Sequence, residues 1–241
     1  PSPELDCAWL IEQWNGGQTL RLKAPKTKDV GYVRRTIGEF LMPFAMLRNL
    51  RKSPMAKQRW DGVVWYSPTI FWGPLVKSLK QSSACRGYLI IRDIFPKWAL
   101  DIGLMGYGLP YLFFKFIEHF QYSVADVIGV QTPANTAYFN KWNSQSNQRV
   151  EVLQNWLADT PNVGCSISVS EGALAGRKIF VYAGNMGVAQ GMGILLDLAE
   201  RLRNRKDIGF LFVGRGSSAK RLLSDSKERG LDNTAFFDEI D

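Results

Sequence analysis

Apolar and polar residues along this chain switch repeatedly between two periods. Short apolar runs of strand length occupy residues 62–66, 87–92, 127–130, 150–153, 179–183, 208–213 and 234–237. Between them lie stretches whose apolar residues recur every three or four positions, the spacing of a helix face. Residues 33–50 are the first of these, with Val33, Ile37, Phe40, Leu41, Phe44 and Leu47 in register and Pro43 set to bend or interrupt the helix. Further helices are predicted from Ser67-Pro68 through Lys80, over 109–123, from Thr132-Pro133 through Trp142, and over 193–203. Residues 20–22 close one more strand. Alternating strands and helices imply parallel sheets covered on both faces, an α/β fold.

The alternation lapses over residues 157–176, which are rich in Gly, Ser and Pro and read as a linker or surface loop. The organisation expected is a domain over 1–155, a connection over 156–176 and a second domain over 177–241. Ligands of open parallel sheets sit beyond the C-terminal strand ends, where Asp93, Gln131, Gly184 and Gly214 fall. If the two domains face each other, these positions line one cleft.

Candidate chemistry concentrates after the strand at 179–183. There a glycine-rich turn leads into a helix start, an order that lets backbone N–H groups approach an anion. A second glycine turn, Gly214-Arg215-Gly216, follows the next strand. Together they predict a nucleotide site.

Composition narrows the classes. With 241 residues and 46% hydrophobic content, one large or two modest cores can form. Three cysteines, Cys7, Cys85 and Cys165, stand far apart without a CxxC, which argues against a disulfide framework and for a reducing cytosol. One histidine, His119, excludes a multi-histidine metal site and reads simply as a helix residue beside Glu118. Glu118 itself reads as a partner in a helix-surface pair, and Phe113, Phe114 and Phe116 as core. Both ends look cut, so the chain reads as a fragment. The net charge of +8 is uneven: residues 21–59 hold eleven Lys/Arg against Asp29 and Glu39, and the rest is near neutral. Such an excess asks for an acidic partner. The apolar run 40–47 is far too short to span a bilayer.

The segments RDIFPKWALDIGLM (92–105), ADVIGVQTPANTAYF (125–139), EVLQNWL (151–157), FVYAGNMGVAQG (180–191) and FLFVGRG (210–216) are together similar to a retaining glycosyltransferase of family 4. In particular they resemble the bacterial enzymes of surface polysaccharide and O-antigen synthesis that move L-fucosamine or a related N-acetylated sugar. The resemblance implies the GT-B architecture: two Rossmann-like parallel-sheet domains facing a cleft, both incomplete here. It implies a UDP-sugar as substrate and no further cofactor. Gly184, Asn185, Gly187, Gln190 and Gly191 would form the donor diphosphate loop. Gly214 and Gly216 would let the nucleotide approach the backbone, and Phe237 would border the base. Asn155 would sit at the domain crossover, and Asp93, with Arg92, in the acceptor-side wall. Asp93 equally suits a cap on the next helix.

This chain departs from the family in one loop. Many relatives carry an arginine and a lysine there, where Asn185 and Ala189-Gln190 stand here, so cationic help must come from elsewhere, and Arg215 is one candidate. The paired-glutamate donor segment is expected beyond Asp241, and the opening strand with its glycine loop before Pro1. No Asp-x-Asp cluster calls for a metal.

A lipid-linked glycan acceptor would put the protein on the cytoplasmic face of the inner membrane. Arg34, Arg35, Arg48, Arg51 and Lys52 would then meet anionic lipid, with Phe40, Met42 and Phe44 available for burial; a plain solvated helix face is the alternative. No nucleic acid is expected. Two further readings stay open. One is a nucleotide-binding oxidoreductase or epimerase, against which stands the lack of GxGxxG spacing. The other is a non-catalytic basic module that binds membrane or nucleic acid.

Overall fold

A computed structural model of the chain describes all residues except Asn15, Asp29, Pro68, 141–147, Thr160, Asn162, Val163, Ser170, Glu171 and Asp241. The chain divides into two compact units, Pro1–Leu157 and Ala158–Asp241.

The first unit opens with an antiparallel hairpin of β1 (Trp9–Trp14) and β2 (Gly17–Leu22). Only residues 20–22 were legible as strand. The signal overlooked is Asn15-Gly16 between two strand-length runs, a connection favoured where φ must be positive, as at Gly16 (φ +80°). Helix α1 (Tyr32–Leu50) follows and runs unbroken through Pro43, which is buried within it. A four-stranded parallel sheet comes next, in the order β3 (Gly62–Ser67), β4 (Arg86–Ile91), β5 (Val127–Val130), β6 (Arg149–Val152). Helices α2 (Gly73–Ser83), α3 (Lys97–Asp101), α4 (Leu109–Ser123) and α5 (Pro133–Thr136) connect these strands. A 3-10 turn, Ala137–Phe139, extends α5; the predicted end at Trp142 lies outside the described residues. Thr132 caps α5, its hydroxyl accepting from the Asn135 N–H at 3.3 Å.

The core of this unit gathers Trp65, Val76, Leu89, Ile91, Tyr122, Ile128, Val130 and Phe139. Helix α4 contributes in an unexpected sense. Its buried residues are Glu118, Gln121 and Tyr122, while Phe113 and Phe116 are exposed. Glu118 therefore does not lie on a helix surface. It is 1% exposed and is bonded by Lys115 and by the Tyr138 hydroxyl, the latter at 2.8 Å. Gln121 accepts from the Trp72 N–H at 3.1 Å. Polar partners on neighbouring segments thus turn Glu118 and Gln121 inward beside Tyr122 and leave Leu112, Phe113 and Phe116 facing out.

The second unit is a three-stranded parallel sheet, β7 (Lys178–Ala183), β8 (Ile208–Val213) and β9 (Thr234–Phe237). Two helices, α6 (Gly193–Arg201) and α7 (Ala219–Glu228), link the strands. Central β8 is covered on both faces, as its continuous apolar run requires. Phe210 and Phe212 pack with Leu196, Ala199 and Leu222 on one side. Leu211 and Val213 pack with Leu174, Ile167 and Val169 on the other. The stretch read as a linker therefore supplies part of this core. Cys165, Ile167 and Val169 alternate with serines there, a period too short to stand out among the Gly, Ser and Pro around it, and Leu174 is at least as buried as the strand residues it covers.

Candidate functional site

The three parallel strands of the second unit end side by side, and their ladder continues into the loops beyond. Gly184 N–H donates to Val213 O at 2.9 Å, Gly214 N–H to Phe237 O at 3.1 Å, and Met186 N–H to Arg215 O at 2.8 Å. At this edge a cavity of about 470 Å³ is lined by Ala183, Gly184, Asn185, Val213, Gly214, Arg215, Glu239 and Ile240. Its place beyond the C-terminal strand ends is where open α/β sheets hold ligands.

The glycines are packed more tightly than a ligand-facing turn needs. Gly214 has φ +137°, and a Cβ there would lie 2.1 Å from Gly184 O. Gly216 has φ +156°, and its Cβ would lie 2.5 Å from Met186 O. Both positions require glycine because the two loops cross in contact.

The structure divides the predicted diphosphate loop. Gly184 and Asn185 line the cavity with Gly214 and Arg215, whereas Gly187, Gln190 and Gly191 are not among the lining residues. The amides of these three are engaged inside the loop. Gly187 N–H donates to Gln190 Oε1 at 3.1 Å, Gln190 N–H to Gly187 O at 3.3 Å, and Gly191 N–H to Val188 O at 3.2 Å. The Tyr182 hydroxyl fixes the turn by donating to Asn185 O at 2.8 Å. Arg215, the candidate cation, is ion-paired at 2.7 Å with Glu239, both side chains being exposed. Glu239 was not singled out from sequence; its only signal is its place just after a strand end. Phe237 offers its carbonyl to the Gly214 amide and leaves its ring partly exposed.

In the first unit the strand ends gather a second group. The Arg92 guanidinium lies 5.0 Å from the Trp156 ring centre and 5.9 Å from that of Tyr66. Turned to satisfy both neighbours, the Gln131 amide oxygen accepts from Arg92 Nη1 and Asn155 Nδ2, each at 3.2 Å, and its nitrogen donates to Arg92 O at 3.2 Å. Asn155 is thus tied to Arg92 through Gln131. Asp93 is exposed beside this group and does not cap α3, whose N-cap is Pro96.

Of the basic residues in and after α1, Arg34, Arg48, Arg51 and Lys52 are exposed. Arg35 is also exposed but held at 2.7 Å by Glu39, whose second oxygen accepts from the Thr69 hydroxyl at 2.7 Å. Met42 is buried in the protein and does not project.

The shifted titrations belong to the scaffold. Burial, helped by a hydrogen bond to Glu151, pushes the Tyr88 phenol up to about 12. Burial and the charge of Glu118 likewise raise Tyr138. Among the described residues, no three His, Cys, Asp or Glu side chains gather where they could hold a metal ion.

No family model matches the chain. Over 207 residues it is 28% identical to "Putative colanic acid biosynthesis glycosyl transferase WcaI" of Escherichia coli (strain K12), a match covering 76% of this chain and 47% of that protein. The chain thus spans about half the length of this curated relative. Among solved structures, sucrose-phosphate synthase from Thermosynechococcus elongatus matches at a TM-score of 0.65 and 16% identity, covering 99% of this chain and 58% of that one. Anabaena HepE in complex with UDP and glucose matches at 0.56 and 13%, covering 90% and 55%. The fold is the parallel-sheet α/β arrangement that such GT-B glycosyltransferases share.

Proposed function

We propose that this protein is a retaining glycosyltransferase that moves an N-acetylated deoxyhexosamine from a UDP-sugar to a lipid-linked glycan. The observation that carries this reading is the cavity at the C-terminal edge of the second unit's sheet, where exposed Arg215 stands beside the backbone of Gly184, Asn185 and Gly214. Similarity to the WcaI protein supports it, as does the fold shared with HepE, solved with UDP and glucose.

In the proposed reaction, the bond from the anomeric carbon to the diphosphate oxygen breaks. The acceptor oxygen bonds to the same face of that carbon, and its proton passes to the leaving phosphate. The products are a glycoside and UDP. The protein's task is to hold negative charge as it grows on the diphosphate. A charge-assisted hydrogen bond from Arg215 is worth about 1.5–3 kcal/mol, comparable with or larger than a helix N-terminus at about 0.3–2 kcal/mol. For Arg215 to act, its bond to Glu239 must give way to the phosphate. The first unit takes the acceptor, with Arg92 and Asp93 in its wall, at the cytoplasmic face of the membrane.

The test supplies the protein with bacterial membranes and a panel of labelled UDP-sugars. Label entering the lipid fraction from one sugar supports transfer and names the donor. No label, with UDP binding intact in calorimetry, overturns the lipid-linked acceptor. No UDP binding overturns the donor site.

A further inference from the structure

We propose that helices α1 and α4 form one docking face for an anionic phospholipid leaflet, entering it with apolar side chains and holding it with arginines of the same face. This deepens the membrane side of the proposed function and rests on the first unit alone.

The face is defined by exposure. On α1, Val33, Ile37, Leu41 and Phe44 are exposed, Ile37 by 55%, while Gly38, Met42 and Asn49 are buried. At 3.6 residues per turn, the exposed apolar residues share an arc of about 120° with Arg34 and Arg48. Arg51 caps the end of the helix. Apolar residues thus occupy the middle of the face and cations its two ends, the pattern of a helix lying in a membrane interface. Arg35 points elsewhere, to Glu39.

Helix α4 repeats the device without charge. Leu109, Leu112, Phe113 and Phe116, at i, i+3, i+4 and i+7, are exposed, Phe116 by 71%, and the polar residues Glu118 and Gln121 are buried. The rings of Phe40 and Phe113, 6.2 Å apart, join the two helices into one surface. Apolar side chains of this size grouped in one patch mark an interaction site.

Charge selects the occupant. Residues 21–59 carry eleven Lys/Arg against two acids. A second copy of the face packed across a two-fold axis would set Arg34, Arg48 and Arg51, the cations placed on this face, against the same cations of its partner. A leaflet of acidic phospholipid neutralises them and solvates the aromatic rings. Among the described residues, no helix is long and apolar enough to cross a membrane.

The experiment measures binding of the 241-residue chain to phosphatidylglycerol-containing vesicles and to pure phosphatidylcholine vesicles at low and high salt. Binding should favour the acidic vesicles and should weaken, without vanishing, at high salt. The Ile37→Ser/Phe116→Ser double variant should bind at least about tenfold more weakly. Arg34→Gln/Arg48→Gln should lose the preference for acidic lipid, and Arg35→Gln should bind as the parent does. Unchanged binding by the Ile37→Ser/Phe116→Ser variant overturns the proposal. So does self-association that this variant abolishes while vesicle binding is absent. UDP calorimetry on the same samples separates the readings: UDP binding without vesicle binding overturns the docking face alone, and the reverse overturns the donor site alone.

Discussion

A Cβ added to Gly214 would lie 2.1 Å from the carbonyl oxygen of Gly184, so the two loops that border the candidate donor cavity touch backbone to backbone. Gly214→Ala combines this clash with φ +137°, a conformation that L side chains rarely adopt. It should cost at least about 2 kcal/mol, because neither backbone can move without breaking the bond from Gly184 N–H to Val213 O. Gly191 provides the contrast: φ is +59°, and nothing lies within 4 Å of its added Cβ. Gly191→Ala should cost only about 1–2 kcal/mol. Urea unfolding of both variants checks the order; equal losses would mean that the loops do not cross as described.

Arg215 and Glu239 form an exposed pair 2.7 Å apart beside the same cavity. Exposed pairs contribute about 0–1 kcal/mol, so Glu239→Gln should leave stability nearly unchanged. It should tighten UDP binding severalfold, because Arg215 no longer has to leave a carboxylate. Arg215→Ala should weaken UDP by about tenfold or more, the worth of one charge-assisted hydrogen bond. Titration calorimetry reads both. If Glu239→Gln weakens UDP, the glutamate contacts the ligand itself, and the competition described here is wrong.

The period of α4 was legible over residues 109–123, and the helix has those bounds. Which side faced inward was not. Periodicity places Leu112, Phe113 and Phe116 on one face, but it cannot say whether that face meets protein or another medium. The deciding contacts are the bonds of Tyr138 to Glu118 and of Trp72 to Gln121, made across many residues. Central β8 was easier, because an unbroken apolar run is the mark of a strand covered on both sides. At the candidate site the strand ends could be read, since strand, turn and helix are local. The Arg215–Glu239 pair could not, because it joins segments separated by α7 and β9.

Arg92 lies between Tyr66 and Trp156, and Gln131 bonds it from the side. A planar guanidinium can stack on rings and still present N–H groups, which an ammonium cannot do. If this group receives the acceptor, Arg92→Lys should lower sugar transfer at least about tenfold while UDP affinity stays at the parent value. Trp156→Ala should act in the same direction with a smaller effect, the worth of one exposed cation–π contact at about 0.5–1 kcal/mol. Transfer assays paired with UDP calorimetry separate the two quantities. A parallel fall in UDP affinity would assign Arg92 to the donor instead.

Asp126, the residue before β5, ties that strand to the second residue of β4: its carboxylate accepts from Gly87 N–H at 2.6 Å and pairs with Lys80 at 2.5 Å. Burial alone would raise its pKa, but the Lys80 bond, the Gly87 amide and the charges of Lys80 and Arg86 outweigh that and hold it below the usual range. The folded protein therefore keeps this carboxylate charged at a pH where the unfolded chain, near about 3.9, has begun to take up a proton. Its contribution is complete above the unfolded value and is lost as pH falls through the lower, folded one. Asp126→Asn should cost about 1 kcal/mol at neutral pH, a charge-assisted bond discounted for partial exposure. The loss should shrink as the solution is acidified below about pH 4. Urea midpoints of parent and variant across that range provide the check; curves that stay parallel would remove Asp126 from the acid sensitivity of the first unit.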